Sequence, residues 1–96
     1  NSRALVERYV AEHGVEPVNW VAVGYGMMRV AIEALVAAGP DVTRESFRDA
    51  MVQTRDVPVP IGFGTFSLTE DRRPIYGTYV LKIENGTYVA VSGAPE

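Results

Sequence analysis

Residues 20–38 restrict the fold of this chain more than any other segment. They form a run of 19 largely apolar residues in which Arg29 and Glu33 are the charged side chains. Val23, Met27, Val30, Ala31, Ala34, Leu35 and Ala38 cover most of a helical circumference, which leaves Arg29 and Glu33, at i and i+4, on a narrow polar strip. A helix of this kind needs cover on two or more sides. It reads poorly as a membrane span, because a charge at the bilayer centre costs about 2.5–3.5 kcal/mol on insertion scales. Gly24 and Gly26 weaken that reading further.

The flanks punctuate this helix. Upstream, Ser2 is placed to cap a first helix with Leu5, Val6, Tyr9 and Val10 on one face and Arg3, Glu7, Arg8 and Glu12 on the other. His13-Gly14 ends it, since glycine tolerates the left-handed position past a helix C-terminus, and Pro17 discourages resumption. Asn19 is the expected cap of the apolar helix, and Gly39-Pro40 stops it. Thr43 then caps a short third helix, with Glu45 near its positive end and Phe47, Ala50 and Met51 facing inward.

After Gln53 the pattern changes to strand. Val57-Pro58-Val59-Pro60 is extended, because each proline biases its predecessor away from the α region. Residues 61–68 alternate large side chains with glycine or small polar ones, which suits a strand making close backbone contacts. A charged turn spans residues 69–73. Residues 75–84 and 87–91 are rich in β-branched and aromatic side chains and flank Asn85-Gly86, the strongest short-range hairpin signal. The expected order is three helices followed by three strands, without the alternation of a βαβ unit.

A length of 96 residues fits one small domain or part of a larger one, with a thin core in either case. The first residues, Asn1-Ser2, lead us to expect that more chain lies upstream or that a leader has been removed. Net charge is −3, from 9 basic and 12 acidic residues without a basic block, so the footprint of a nucleic-acid binder is missing. The absence of cysteine excludes disulfides, thiolate metal sites and cysteine nucleophiles.

Few residues invite a chemical role. His13, the one histidine, suits the negative end of the first helix better than a metal site, because no other ligands cluster with it. Asp49, Asp56, Glu70 and Asp71 read as solvated carboxylates, and Arg72-Arg73 as a solvated turn. Asn85-Gly86-Thr87 matches a glycosylation sequon, although the hairpin turn accounts for it fully. The glycines at 24, 26, 62 and 64 lack the lysine and strand-to-helix context of a phosphate loop.

Four pieces in order carry a resemblance. They are Gly24-Tyr25-Gly26 opening a helix that continues through residues 31–39, residues 43–51, the segment 61–66, and the hairpin from Arg73-Pro74-Ile75-Tyr76 to Asn85-Gly86. Together they resemble the C-terminal portion of type I periplasmic solute-binding proteins, the branched-chain-amino-acid receptors of ABC transporters. Two departures stand out. Gly26 occupies a position that is usually acidic in that family, and Glu70-Asp71-Arg72-Arg73 replaces a turn that usually holds a glycine.

The resemblance implies an α/β fold: three helices, a hinge-crossing strand and a terminal β-hairpin of a two-lobed receptor. Residues 1–60 would belong to the N-terminal lobe, 61–68 would cross between lobes, and 69–96 would pack on the second lobe. It implies a non-catalytic role in uptake of an amino acid or related small carboxylate, without a cofactor. It further implies an ABC permease as partner and a periplasmic or extracytoplasmic setting, as a cell-surface lipoprotein in a Gram-positive source. Trp20 and Tyr25 are the ligand-binding candidates it points to, with the grip on the ligand's charged ends lying upstream. For Trp20 a core anchor stands beside the cleft wall, and for Tyr25 a structural hydroxyl stands beside the ligand contact. A different class remains open: a freestanding α+β module that self-associates or docks a protein through its surplus apolar surface.

Overall fold

The computed structural model describes residues 2–92, which contain three helices and five short strands. Helix α1 runs Ser2–His13, α2 Asn19–Ala38 and α3 Arg44–Val52. Ser2 lies inside α1 instead of capping it. At the other end Gly14 takes φ +76° and donates its N–H to the Val10 carbonyl at 2.8 Å, the expected glycine stop. His13 lies against the ring of Tyr9, with centroids 4.5 Å apart.

The cap of α2 differs from expectation. Val18, extended at φ −82°, is the N-cap, and Asn19 is the first helical residue. The Val18 carbonyl accepts the Val21 N–H at 3.0 Å, so a backbone bond tightens the first turn where a side chain was expected to do so. Thr43 caps α3 as its sequence predicts: its hydroxyl accepts the Ser46 N–H at 3.1 Å, and the Ser46 hydroxyl accepts the Thr43 N–H at 2.8 Å.

Strands β1 (Val57–Pro58), β2 (Thr65–Leu68) and β3 (Pro74–Ile75) form an antiparallel sheet in that order. Val57 pairs with Phe66, and Ser67 with Ile75. The strand expected over residues 61–68 is therefore shorter. Residues 61–64 make a turn, with Gly62 at φ +54° and Gly64 at φ +96°, and left-handed backbone reverses the chain at low steric cost only for glycine. Val59 donates to the Gly64 carbonyl and Gly64 to that of Ile61, both at 3.0 Å, which closes the reversal.

The strand expected over residues 75–84 is divided as well. It forms β3 and then β4 (Val80–Glu84), with residues 76–79 between them outside any strand. These residues leave the first sheet because they pass across the 61–64 turn: a Cβ on Gly62 would run into the Gly77 backbone. Strands β4 and β5 (Thr87–Ser92) form the predicted hairpin. Asn85 at φ +50° and Gly86 at φ +77° supply the two left-handed residues of a type I′ turn, with Glu84 opposite Thr87.

The core is small. Val30 of α2 and Val59 are almost fully buried with Val57 and Phe66, and Met51, Ile61 and Leu68 pack around them. Gly26 lies directly against Val59, where a Cβ would stand 3.4 Å from the Val59 Cβ, in ordinary contact. Arg55 ties α3 to the sheet. Its Nη1 donates to the carbonyls of Val52 at 2.9 Å, Thr54 at 2.7 Å and Leu68 at 2.6 Å. The Val52 carbonyl stands at the negative end of α3, so the charge is well placed. Arg55→Gln is expected to lower stability by about 1 kcal/mol, discounted for solvent exposure. Chemical denaturation reads that loss, and an unchanged midpoint would remove Arg55 from the architecture.

Much apolar surface stays open. The accessible surface is 7320 Å², against roughly 5,400 Å² for a compact monomer of this mass. The radius of gyration is 15.8 Å, whereas about 12.5 Å suits a compact domain of this length. The expected cover on two sides of α2 is present on one: Gly26, Val30 and Ala34 are buried, while Met28, Ile32 and Leu35, spaced four and three residues apart, remain exposed. By length and composition alone α2 could cross a membrane, yet Arg29 pairs with Glu33 at 3.6 Å at its middle. All five residues of β4 are exposed too.

Candidate functional site

An open groove of about 640 Å³ runs between the first turns of α2, strand β2 and residues 76–79. Asn19, Val23 and Met27 form its α2 wall, Phe66 and Leu68 its floor, and Tyr76 and Tyr79 its far side. The volume lies within the usual range of small-molecule sites, and the lining is mostly apolar. It contains no Asp, Glu, Lys, Arg or His. Its contacts are therefore apolar, aromatic or uncharged polar, the last from Asn19 and Thr78, and no side chain in it carries a charge to pair with an ammonium or carboxylate group.

Ring pairs shape the far side. Phe66 stacks on Tyr76 with centroids 6.1 Å apart and planes inclined by 16°. Phe63 meets Tyr79 edge to face at 5.4 Å. Both geometries suit the aromatic quadrupole. Among the described residues there is no group of three or more side chains suited to a metal ion.

The two residues singled out from the sequence lie elsewhere. Trp20, in the first turn of α2, is 76% exposed, so nothing among the described residues buries it. Tyr25 is 46% exposed and borders a shallow depression shared with Leu5, Tyr9 and Val21. Five residues apart on a helix, they point about 140° away from each other. The structure does not bring them together. Sequence reasoning passed over Phe66, Tyr76 and Tyr79, although one signal was available: four of the nine aromatic residues fall within residues 63–79.

Comparison with known proteins decides the family. The model of the family described as periplasmic binding protein matches residues 1–87. The chain belongs to that family. Membership implies an extracytoplasmic place of work.

Two solved structures share the architecture at comparable similarity. One, from Rhodospirillum rubrum, is described as a candidate branched-chain amino acid ABC transporter; it is 26% identical with a TM-score of 0.78. The other is a leucine-binding protein of Thermotoga maritima, 25% identical with a TM-score of 0.79. The likeness covers 94% and 95% of this chain but only 26% and 25% of those proteins, so the chain spans about a quarter of their length. Among curated proteins, none matches the chain.

Proposed function

We propose that this chain is part of a non-catalytic extracytoplasmic receptor that delivers an amino acid or related small carboxylate to an ABC permease. The observation that carries the reading is the family match over residues 1–87, joined by structural likeness to a leucine-binding protein over 95% of the chain. The helices would belong to one lobe and the β4–β5 hairpin would pack on the other. In a Gram-positive source the receptor would be a cell-surface lipoprotein. Trp20 is proposed to face the solute's side chain, which its 76% exposure in this chain supports; Tyr25, about 140° further round α2, would make a separate ligand contact. The charged ends of the solute would be gripped by residues outside it, in keeping with the uncharged groove.

Calorimetric titration with leucine and a panel of small acids tests this. The 96-residue chain alone is expected to bind none tightly, whereas a longer receptor containing it binds one. In that receptor Trp20→Ala should weaken binding about tenfold. Tight binding by the short chain, or an unaltered affinity in the Trp20→Ala receptor, would remove the respective claim.

A second reading rests on the open surface of α2 and β4. In it the chain works as a freestanding module that self-associates. Sedimentation of the chain separates the two, since a discrete dimer favours the second and a monomer counts against it.

A further inference from the structure

We propose that the Asn85-Gly86 tip of the β4–β5 hairpin is a self-modification site, at which Asn85 loses its side-chain amide through attack by the Gly86 nitrogen whenever the turn opens. Neither the uptake reading nor self-association uses this motif, and the proposal rests on neither. Nucleophile and electrophile are neighbours in the chain. Joining the Gly86 nitrogen to the Asn85 Cγ closes a five-membered ring. Glycine leaves that nitrogen without a flanking side chain, and nothing lies within 4 Å of where a Gly86 Cβ would stand. Both residues are exposed, so water and hydroxide reach them. Among the described residues, no hydrogen bond holds the Asn85 side chain or the Gly86 N–H.

The folded turn guards the site. The ring closes only when the Gly86 nitrogen lies on the same side as the Asn85 Cβ. The left-handed backbone of Asn85, at φ +50° in a type I′ turn, holds that nitrogen on the opposite side. Reaction therefore waits for rotation about the Asn85 Cα–C bond, which breaks the Glu84–Thr87 rung. Opening is easy here, because an isolated two-stranded hairpin is marginally stable in water and β4 pairs with β5 alone among the described strands.

The chemistry balances with water as the one co-reactant. Hydroxide takes the Gly86 N–H proton, the nitrogen bonds to the Asn85 Cγ, and the Cγ–Nδ2 bond breaks. The departing nitrogen takes a proton from water and leaves as ammonia, which restores the hydroxide. Water then opens the cyclic imide at either carbonyl, and no electrons are exchanged. Breaking the new N–Cγ bond gives aspartate, and breaking the original peptide bond gives isoaspartate. Aspartate keeps the turn, since Asp-Gly also suits type I′. Isoaspartate routes the main chain through Cβ and adds a carbon to a two-residue loop, so Glu84 can no longer face Thr87 in register.

Incubating the full chain at mildly alkaline pH, followed by peptide mapping with mass spectrometry, tests this. Acid is expected at position 85, as aspartate and isoaspartate, at a rate proportional to hydroxide. Asn19, held in the first turn of α2 and followed by Trp20, should keep its amide. Asn85→Gln, which would need a six-membered ring, should stay unmodified. A clamp tests the gating. Ile83 opposes Tyr88 and the chain has no cysteine, so Ile83→Cys with Tyr88→Cys can form a single bridge across the ladder. Conversion should be several-fold slower with the bridge closed than reduced. The parent chain unfolded in urea, which needs no bridge, should convert several-fold faster than the folded one. An Asn85 that outlasts Asn19, or equal rates in either comparison, would overturn the proposal.

Discussion

Val30→Asp is expected to unfold the helical body of the chain. Val30 is 1% exposed and packs with Val57, Val59 and Phe66, so a carboxylate there would be buried among apolar side chains. An uncompensated buried charge costs about 3–5 kcal/mol. Small domains are stable by only about 0.05–0.15 kcal/mol per residue, and a core whose largest fully buried side chains, among the described residues, are Val30 and Val59 belongs at the low end. The penalty is therefore comparable with the whole stability. Loss of the helical circular dichroism at 25 °C is the expected reading. Val36→Asp is the control: the same substitution, on the same helix, at a side chain 73% exposed, should alter stability by less than about 0.5 kcal/mol. Equal damage from both would mean that α2 does not pack as described.

The second large effect concerns the position after Tyr25. Gly26→Asp is expected to destabilise the chain by about 1–3 kcal/mol through overpacking, with the desolvation of a carboxylate in addition. The reason is geometric. A Cβ at Gly26 would lie 3.4 Å from the Cβ of Val59 and 3.5 Å from the Cδ of Pro60, so a methyl would just make contact and a carboxylate beyond it would press on apolar side chains. Gly26→Ala should be close to neutral, because alanine gains about 1 kcal/mol in helix propensity over glycine against a tight but allowed contact. Thermal melts of the pair decide this. If Gly26→Asp melts with the parent chain, α2 can part from β1 at little cost, and the closeness allowed by glycine is incidental.

The sequence showed most of what is local. The glycine stop after His13, the Thr43 cap and the Asn85-Gly86 turn each depend on one to four neighbouring residues, and all three stand as read. Their physics is short-range: a left-handed dihedral, a hydroxyl within reach of an amide. The order of the four pieces was also sufficient to point to the family, because order and punctuation survive at 25–26% identity.

What the sequence left open depends on where distant segments meet. Residues 61–64 look like strand because large side chains alternate with small ones. Nothing local reveals that β2 returns beside β1 and makes Gly62 and Gly64 the bend. Residues 75–84 look like one strand for the same reason, and only the passage over Gly62 divides them. Asn19 could have capped α2, but the Val18 carbonyl closes the first turn. The wall formed by Phe66, Tyr76 and Tyr79 was visible as aromatic density without a location.

By itself, then, the sequence determined the helices, their stops, the hairpin and an apolar helix with more greasy surface than its neighbours could cover. Tertiary structure alone decided which face of that helix is buried, where the chain turns back and where it crosses. Periodicity states that α2 is apolar nearly all round, but burial is a contest between faces. The Gly26, Val30 and Ala34 side lies against the first sheet, while Met28, Ile32 and Leu35 stay open.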